Sequence, residues 1–185
     1  MEEAYLKDII KLYSYYKTMA ERAMDQLSEK DLFWQSDPST NSIAIIVKHL
    51  SGNMLSRWTN FLQDDGEKEW RDRDSEFEID IISKDGLMKT WNEGWDCLMK
   101  TLNDLNPEDM QKTIYIRNTG HSVSEALNRQ LAHYASHVGQ IIILGKMIKK
   151  DEWKSLSIPK GASKEFNKMK FSNETKNQHF TDDLL

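Results

Sequence analysis

Four stretches of the chain place apolar residues three or four positions apart, a period that amphipathic α-helices packed on one another satisfy best. The first carries Leu6, Ile9, Tyr13, Tyr16, Ala20, Ala23 and Leu27, and the second Ile43, Val47, Leu50, Met54, Trp58 and Phe61. The third carries Leu87, Trp91, Trp95, Leu98, Leu102 and Leu105, and the fourth Leu127, Leu131, Tyr134, Val138, Ile141, Ile142 and Gly145. The breaks between them are Asp37-Pro38-Ser39-Thr40-Asn41, Asp64-Asp65-Gly66 and Asn106-Pro107. Ser28 with Asp31, and Ser122 with Glu125, have the spacing of capping boxes. Helices of about 18–28 residues cannot each hide such a stripe alone, so an all-α four-helix bundle is expected.

Two segments depart from the helical pattern. Thr113 to Arg117 is short and β-branched and runs into Asn118-Thr119-Gly120, which predicts a small hairpin before the fourth helix. Residues 64–82 are rich in charge and longer than an ordinary helix–helix turn. They are expected to form a crossover that lets the second and third helices run parallel. At 185 residues the chain is expected to be one domain over 1–170, with a flexible polar tail over 171–185.

Composition narrows the function. Thirty acidic residues against 25 basic ones give a net charge of -5, without the basic stripe of a nucleic-acid binder. The longest purely apolar run, Ile43 to Val47, is far short of a membrane span. The acidic start Met-Glu-Glu-Ala-Tyr lacks a secretion-signal pattern, so a cytoplasmic protein without membrane or nucleic-acid partners is expected. The single cysteine, Cys97, excludes an internal disulfide and a Cys-rich metal site, and its place between Trp95 and Leu98 points to packing. Trp34, Trp58, Trp91 and Trp95 read as core residues, with Trp91 and Trp95 on one face.

The histidines carry the chemistry. His133 and His137 stand at i and i+4 on the fourth helix, which puts their Cβ atoms about 5–6 Å apart at the margin of the apolar stripe. Two imidazoles so placed can share one divalent metal. The third ligand must come from another helix, and His49, beside Leu50 on the core side of the second, is the natural candidate. His121 lies too far along the chain, and His179 falls in the tail. No Glu follows His133, so the H-E-x-x-H protease pattern is absent.

K-H-L-S-G-N at 48–53 and L-A-H-Y-A-S-H-V-G-Q-I at 131–141 resemble the DinB/YfiT-like superfamily of metal-binding four-helix bundles. W-R-D-R-D-S-E-F at 70–77 and S-I-P-K-G-A-S-K-E-F-N at 157–167 look like an uncharacterised subgroup of it. The resemblance spans about residues 1–170. It implies a divalent metal on His49, His133 and His137, with Zn or Ni first and Fe or Mn as further candidates. Three neutral ligands leave a coordination position open, as in catalytic sites. Relatives include bacillithiol-type thiol transferases and mycothiol-dependent isomerases. The implied activity is activation of a low-molecular-weight thiol or a water, for transfer to or hydrolysis of a small electrophile. Pairing as a homodimer is implied as well.

Asn53, one turn after His49, Gln140, three residues after His137, and Arg73 in the crossover are the candidate catalytic residues. Arg71 and Arg73 are placed to hold an anionic substrate at the mouth, unless their loop simply pairs with itself in solvent. The reading from another class is a non-catalytic metal-binding or protein-interaction module, with the metal stapling the second and fourth helices together.

Overall fold

A computed structural model describes residues 1–78 and 80–182. They are mostly helical, with one small hairpin. The long helices are α1 (Glu2–Met24), α3 (Ile43–Trp58), α4 (Lys84–Asp104) and α5 (Val123–Lys149). Two short ones are α2 (Glu29–Leu32) and α6 (Ser163–Phe171). Serine side chains begin three of the long helices. Ser42 accepts from Ile45 N, Ser83 from Gly86 N and Ser122 from Glu125 N, each satisfying an amide that helix geometry leaves unpaired. At Ser28 the complete capping box forms with Asp31.

The helices pack as two parallel pairs. Ser51 of α3 faces Gly94 of α4, and Trp58 faces Thr101, so residue numbers rise together along both. Tyr5 of α1 reaches Ser124 and Asn128 of α5, while Leu27 meets Gly145, which gives the same sense. Parallel neighbours need a crossover, and residues 59–83 supply it for α3 and α4. One core joins the pairs. Tyr13, Trp95 and Tyr134 are 0% exposed and Trp58 1%. Tyr13 meets Trp58 edge-on at 6.2 Å and Tyr134 at 6.0 Å, and Trp95 meets Tyr134 at 6.1 Å.

The hairpin pairs β1 (Thr113–Ile116) antiparallel with β2 (Thr119–Ser122). Its turn is Arg117-Asn118, both at positive φ, as the tight two-residue hairpin turn requires. The hairpin fastens the crossover. Gly66 N donates to Tyr115 O at 2.8 Å, and Asp65 accepts from the backbone of Arg117 and Asn118.

Two expectations change. The stripe predicts helix on to Phe61, but α3 ends at Trp58, because Thr59 is extended and Asn60 takes a φ of 49°. Phe61 still returns to the core, its ring 4.8 Å from that of Trp58. Trp34 is 39% exposed rather than in the core, since it lies in the turn after α2 and on no helix face. The segment expected as a tail begins where α6 ends. Within it Phe180 packs on Tyr15 and Asp182 pairs with Lys11, while residues 183–185 lie outside the described residues. Among the described residues no helix is long and apolar enough to cross a membrane.

Candidate metal centre

A buried polar lock sets α3 against α5. Trp58 Nε1 donates to the Tyr134 hydroxyl at 2.9 Å, and that hydroxyl donates to Asn53 Oδ1 at 3.0 Å. One turn before Asn53 on α3 stands His49, and flanking Tyr134 on α5 are His133 and His137. The lock stands one turn from His49 and beside His133, at the level where the three rings meet. Their centroids lie 5.0 Å (His49–His137), 5.5 Å (His49–His133) and 4.8 Å (His133–His137) apart. One ring nitrogen of each lies within 4.8 Å of the others.

The far sides of two rings are tied. His49 Nδ1 donates to Glu76 Oε2 at 2.8 Å, which leaves its Nε2 as the bare nitrogen. His137 Nδ1 faces Gln140 Oε1 at 3.1 Å, so its Nε2 is likewise turned inward. That Nε2 lies 3.1 Å from His133 Nε2. Without a cation, a neutral His133 meets this contact by donating its Nε2–H to His137 Nε2. Two ligands on a tetrahedral zinc at 2.0–2.1 Å would be about 3.3 Å apart, near what is seen. Burial, then the neighbouring His137 and His49, push His133 down to about 4. Burial also lowers His137. Both are therefore neutral near pH 7, the form a metal requires. The donor set fits a divalent ion.

The crossover completes the surroundings of His49. Its short 3₁₀ turn, Ser75–Phe77, is held to α3 by Lys48, which donates to Ser75 O at 2.6 Å. Glu76, 5% exposed, is gripped from its other side by Arg71, with Nε to Oε1 at 2.7 Å and Nη2 to Oε2 at 3.0 Å. Burial raises the Glu76 pKa, but hydrogen bonds from His49 and Arg71 outweigh it and hold the group ionised. Glu76 can come this close because residue 52 is glycine. A Cβ there would lie 2.5 Å from Glu76 Oε1. Phe77 stacks on the His49 ring at 5.1 Å, and Arg73 lies over Phe77 at 5.2 Å.

A cavity of about 220 Å³ opens beside His49 and His133. Asn53 and Gln130 border it, with Arg57, Arg71, Arg73, Arg117 and Arg129. Of the residues singled out from sequence, the three histidines converge and Gln140 contacts His137. Asn53 commits its carbonyl oxygen to Tyr134, and Arg73 stands at the cavity rim. Arg71 turns inward onto Glu76 rather than lying free at the mouth. His121 pairs with Glu125, and His179 with Thr181, both apart from the site. Glu76 and Gly52 escape sequence reasoning. A glycine inside an apolar-periodic helix, three residues after a candidate ligand, was the available signal for a close approach. Glu76 carried none, being one carboxylate among many in an alternating loop.

A family described as "Protein of unknown function (DUF1572)" matches residues 1–162. No curated protein matches the chain.

Proposed function

The chain belongs to the DUF1572 family, and on that premise we propose that it is a metal-dependent enzyme of the DinB/YfiT-like type, a four-helix bundle holding one divalent ion on His49, His133 and His137. The supporting observation is the His49–Glu76–Arg71 chain. A carboxylate fixing the far nitrogen of an imidazole sets its tautomer and raises its basicity, the usual support of a metal-ligating histidine. A merely packed histidine has no need of a buried, twice-gripped carboxylate. Zn or Ni is the first choice for an all-imidazole set, with Fe and Mn next.

When bound, the ion would supply Lewis acidity that lowers the pKa of a water or thiol. The chain's own residues do the rest. Glu76 and Gln140 orient His49 and His137, and Phe77 covers one face of His49. Asn53 fixes Tyr134 and so the register of α3 on α5. The proposed reaction is transfer of an external low-molecular-weight thiol to a small electrophile, or hydrolysis of that electrophile. Cys97 does not serve as the thiol. Its Sγ faces Thr59 Oγ1 at 3.6 Å, away from the histidines. The same reading takes residues 1–170 as the domain and a homodimer as the working form.

Elemental mass spectrometry of tag-free protein tests the metal. Near-stoichiometric metal is expected, lost in His49→Ala and in the His133→Ala/His137→Ala double variant while far-UV circular dichroism keeps its helical signal. A wild-type chain that holds no metal after reconstitution with Zn or Ni overturns the reading and leaves a helical interaction module.

A further inference from the structure

The chain has six arginines, and five of them line a cavity that His49 and His133 border. No lysine lines it. We propose that this cavity binds an oxyanion group, a carboxylate or a phosphate, carried by the substrate. The proposal rests on the metal-centre reading for its place in catalysis, because the anion would be held beside the same two histidines.

Charge is the first argument. Three carboxylates, Glu67, Glu76 and Asp65, act on the five guanidiniums, and Asp65 is taken by backbone amides. Glu67 takes Arg57 at 2.9 Å, Arg71 at 3.3 Å and Arg117 at 3.4 Å. Glu76 takes Arg71 and His49. Among the described residues no carboxylate pairs with Arg73 or Arg129, so the cavity keeps a surplus of positive charge inside a chain of net charge -5. Like charges gathered in a cleft raise the local concentration of anions.

Unmet hydrogen-bonding capacity is the second argument. Arg57 is 5% exposed and borders the cavity. Among the described residues Arg57 Nε has no hydrogen-bond partner. Buried polar atoms without partners are uncommon and costly, and a ligand is one way to satisfy them. The residue type is the third argument. The planar guanidinium fork matches the two oxygens of a carboxylate or phosphate, which a lysine ammonium cannot do.

The test is isothermal titration calorimetry on the full chain, stripped of metal by chelator, at low salt. Inorganic phosphate and succinate are the two probes, and whichever binds more tightly identifies the group. Saturable binding of at least one is expected. Arg129→Gln and Arg73→Gln should each weaken it about tenfold or more, the loss of one charge-assisted bond. Both side chains are exposed and, among the described residues, have no ion pair, so neither change threatens folding. Lys100→Gln, outside the cavity, should leave binding unchanged. No saturable binding of either probe, or binding that both arginine variants retain in full, overturns the proposal. Metal content measured on the reconstituted samples separates the two readings. Metal without anion binding rejects this proposal alone, and anion binding without metal rejects the metal centre alone.

Discussion

Gly52 has no side chain, yet it decides how His49 is held. A methyl group at this position would sit 2.5 Å from Glu76 Oε1 and 2.8 Å from its Cδ, so the carboxylate would have to retreat. Its retreat would release His49 Nδ1 and leave Arg71 with one partner fewer. Gly52→Ala is therefore expected to lower zinc affinity about 10–100-fold, the usual cost of losing such a support. The helix itself should gain up to about 1 kcal/mol from the better helix former. Chelator competition and a thermal melt of the metal-free protein separate these effects, and unchanged affinity would show that Glu76 does not tune His49. At this scale the sequence is legible for the ligands and opaque for their support. The i, i+4 spacing of His133 and His137 needs only one helix. Glu76 meets His49 through a loop 27 residues away, and no local pattern encodes that meeting.

The elements divide in the same way. Stripes locate α3, α4 and α5, and the Ser122–Glu125 spacing locates the start of α5, because caps are local chemistry. The end of α3 is not local, since it is set where the crossover folds back onto the hairpin. Asp65 holds that fold-back, accepting from Glu67, Arg117 and Asn118 backbone amides at 2.8 Å each. Burial pushes its pKa up, but the three amides outweigh burial and hold it below the ordinary carboxylate value. Its contribution is thus full above the unfolded pKa of about 3.9 and disappears as pH falls through the lower folded value. Asp65→Asn should cost about 1–3 kcal/mol at pH 7. The gap from wild type should close below about pH 4, as the wild-type carboxyl is protonated. Urea titrations across that range test it, and a gap independent of pH would assign the loss to packing. Gly94 plays the corresponding part between helices. A Cβ there would lie 2.8 Å from Ser51 Cα, which is backbone and cannot swing aside. Gly94→Ala should force α3 from α4 and cost about 1–3 kcal/mol, read as a lower urea midpoint with unchanged slope.

For the whole molecule, the histidine cluster lies where the two parallel helix pairs meet. His49 belongs to the α3–α4 pair, and His133 and His137 to the α1–α5 pair. An ion there would join them, so binding and folding should be linked. Zinc at a free concentration of 100 Kd should add about 2.7 kcal/mol of stability. At about 2–4 °C per kcal/mol for a chain of this size, that is a rise in Tm of about 5–10 °C. His133→Ala should abolish the rise. Asn53→Ala asks what sets the junction without the ion. It removes the acceptor of the buried Tyr134 hydroxyl and should cost about 1–3 kcal/mol in the metal-free chain. If the Asn53–Tyr134–Trp58 lock also sets the register that brings the rings together, the same variant should lose much of the zinc-induced rise although no ligand has changed. A variant that is less stable but keeps the full rise would mean that the ion itself, and not the lock, draws α3 and α5 into place.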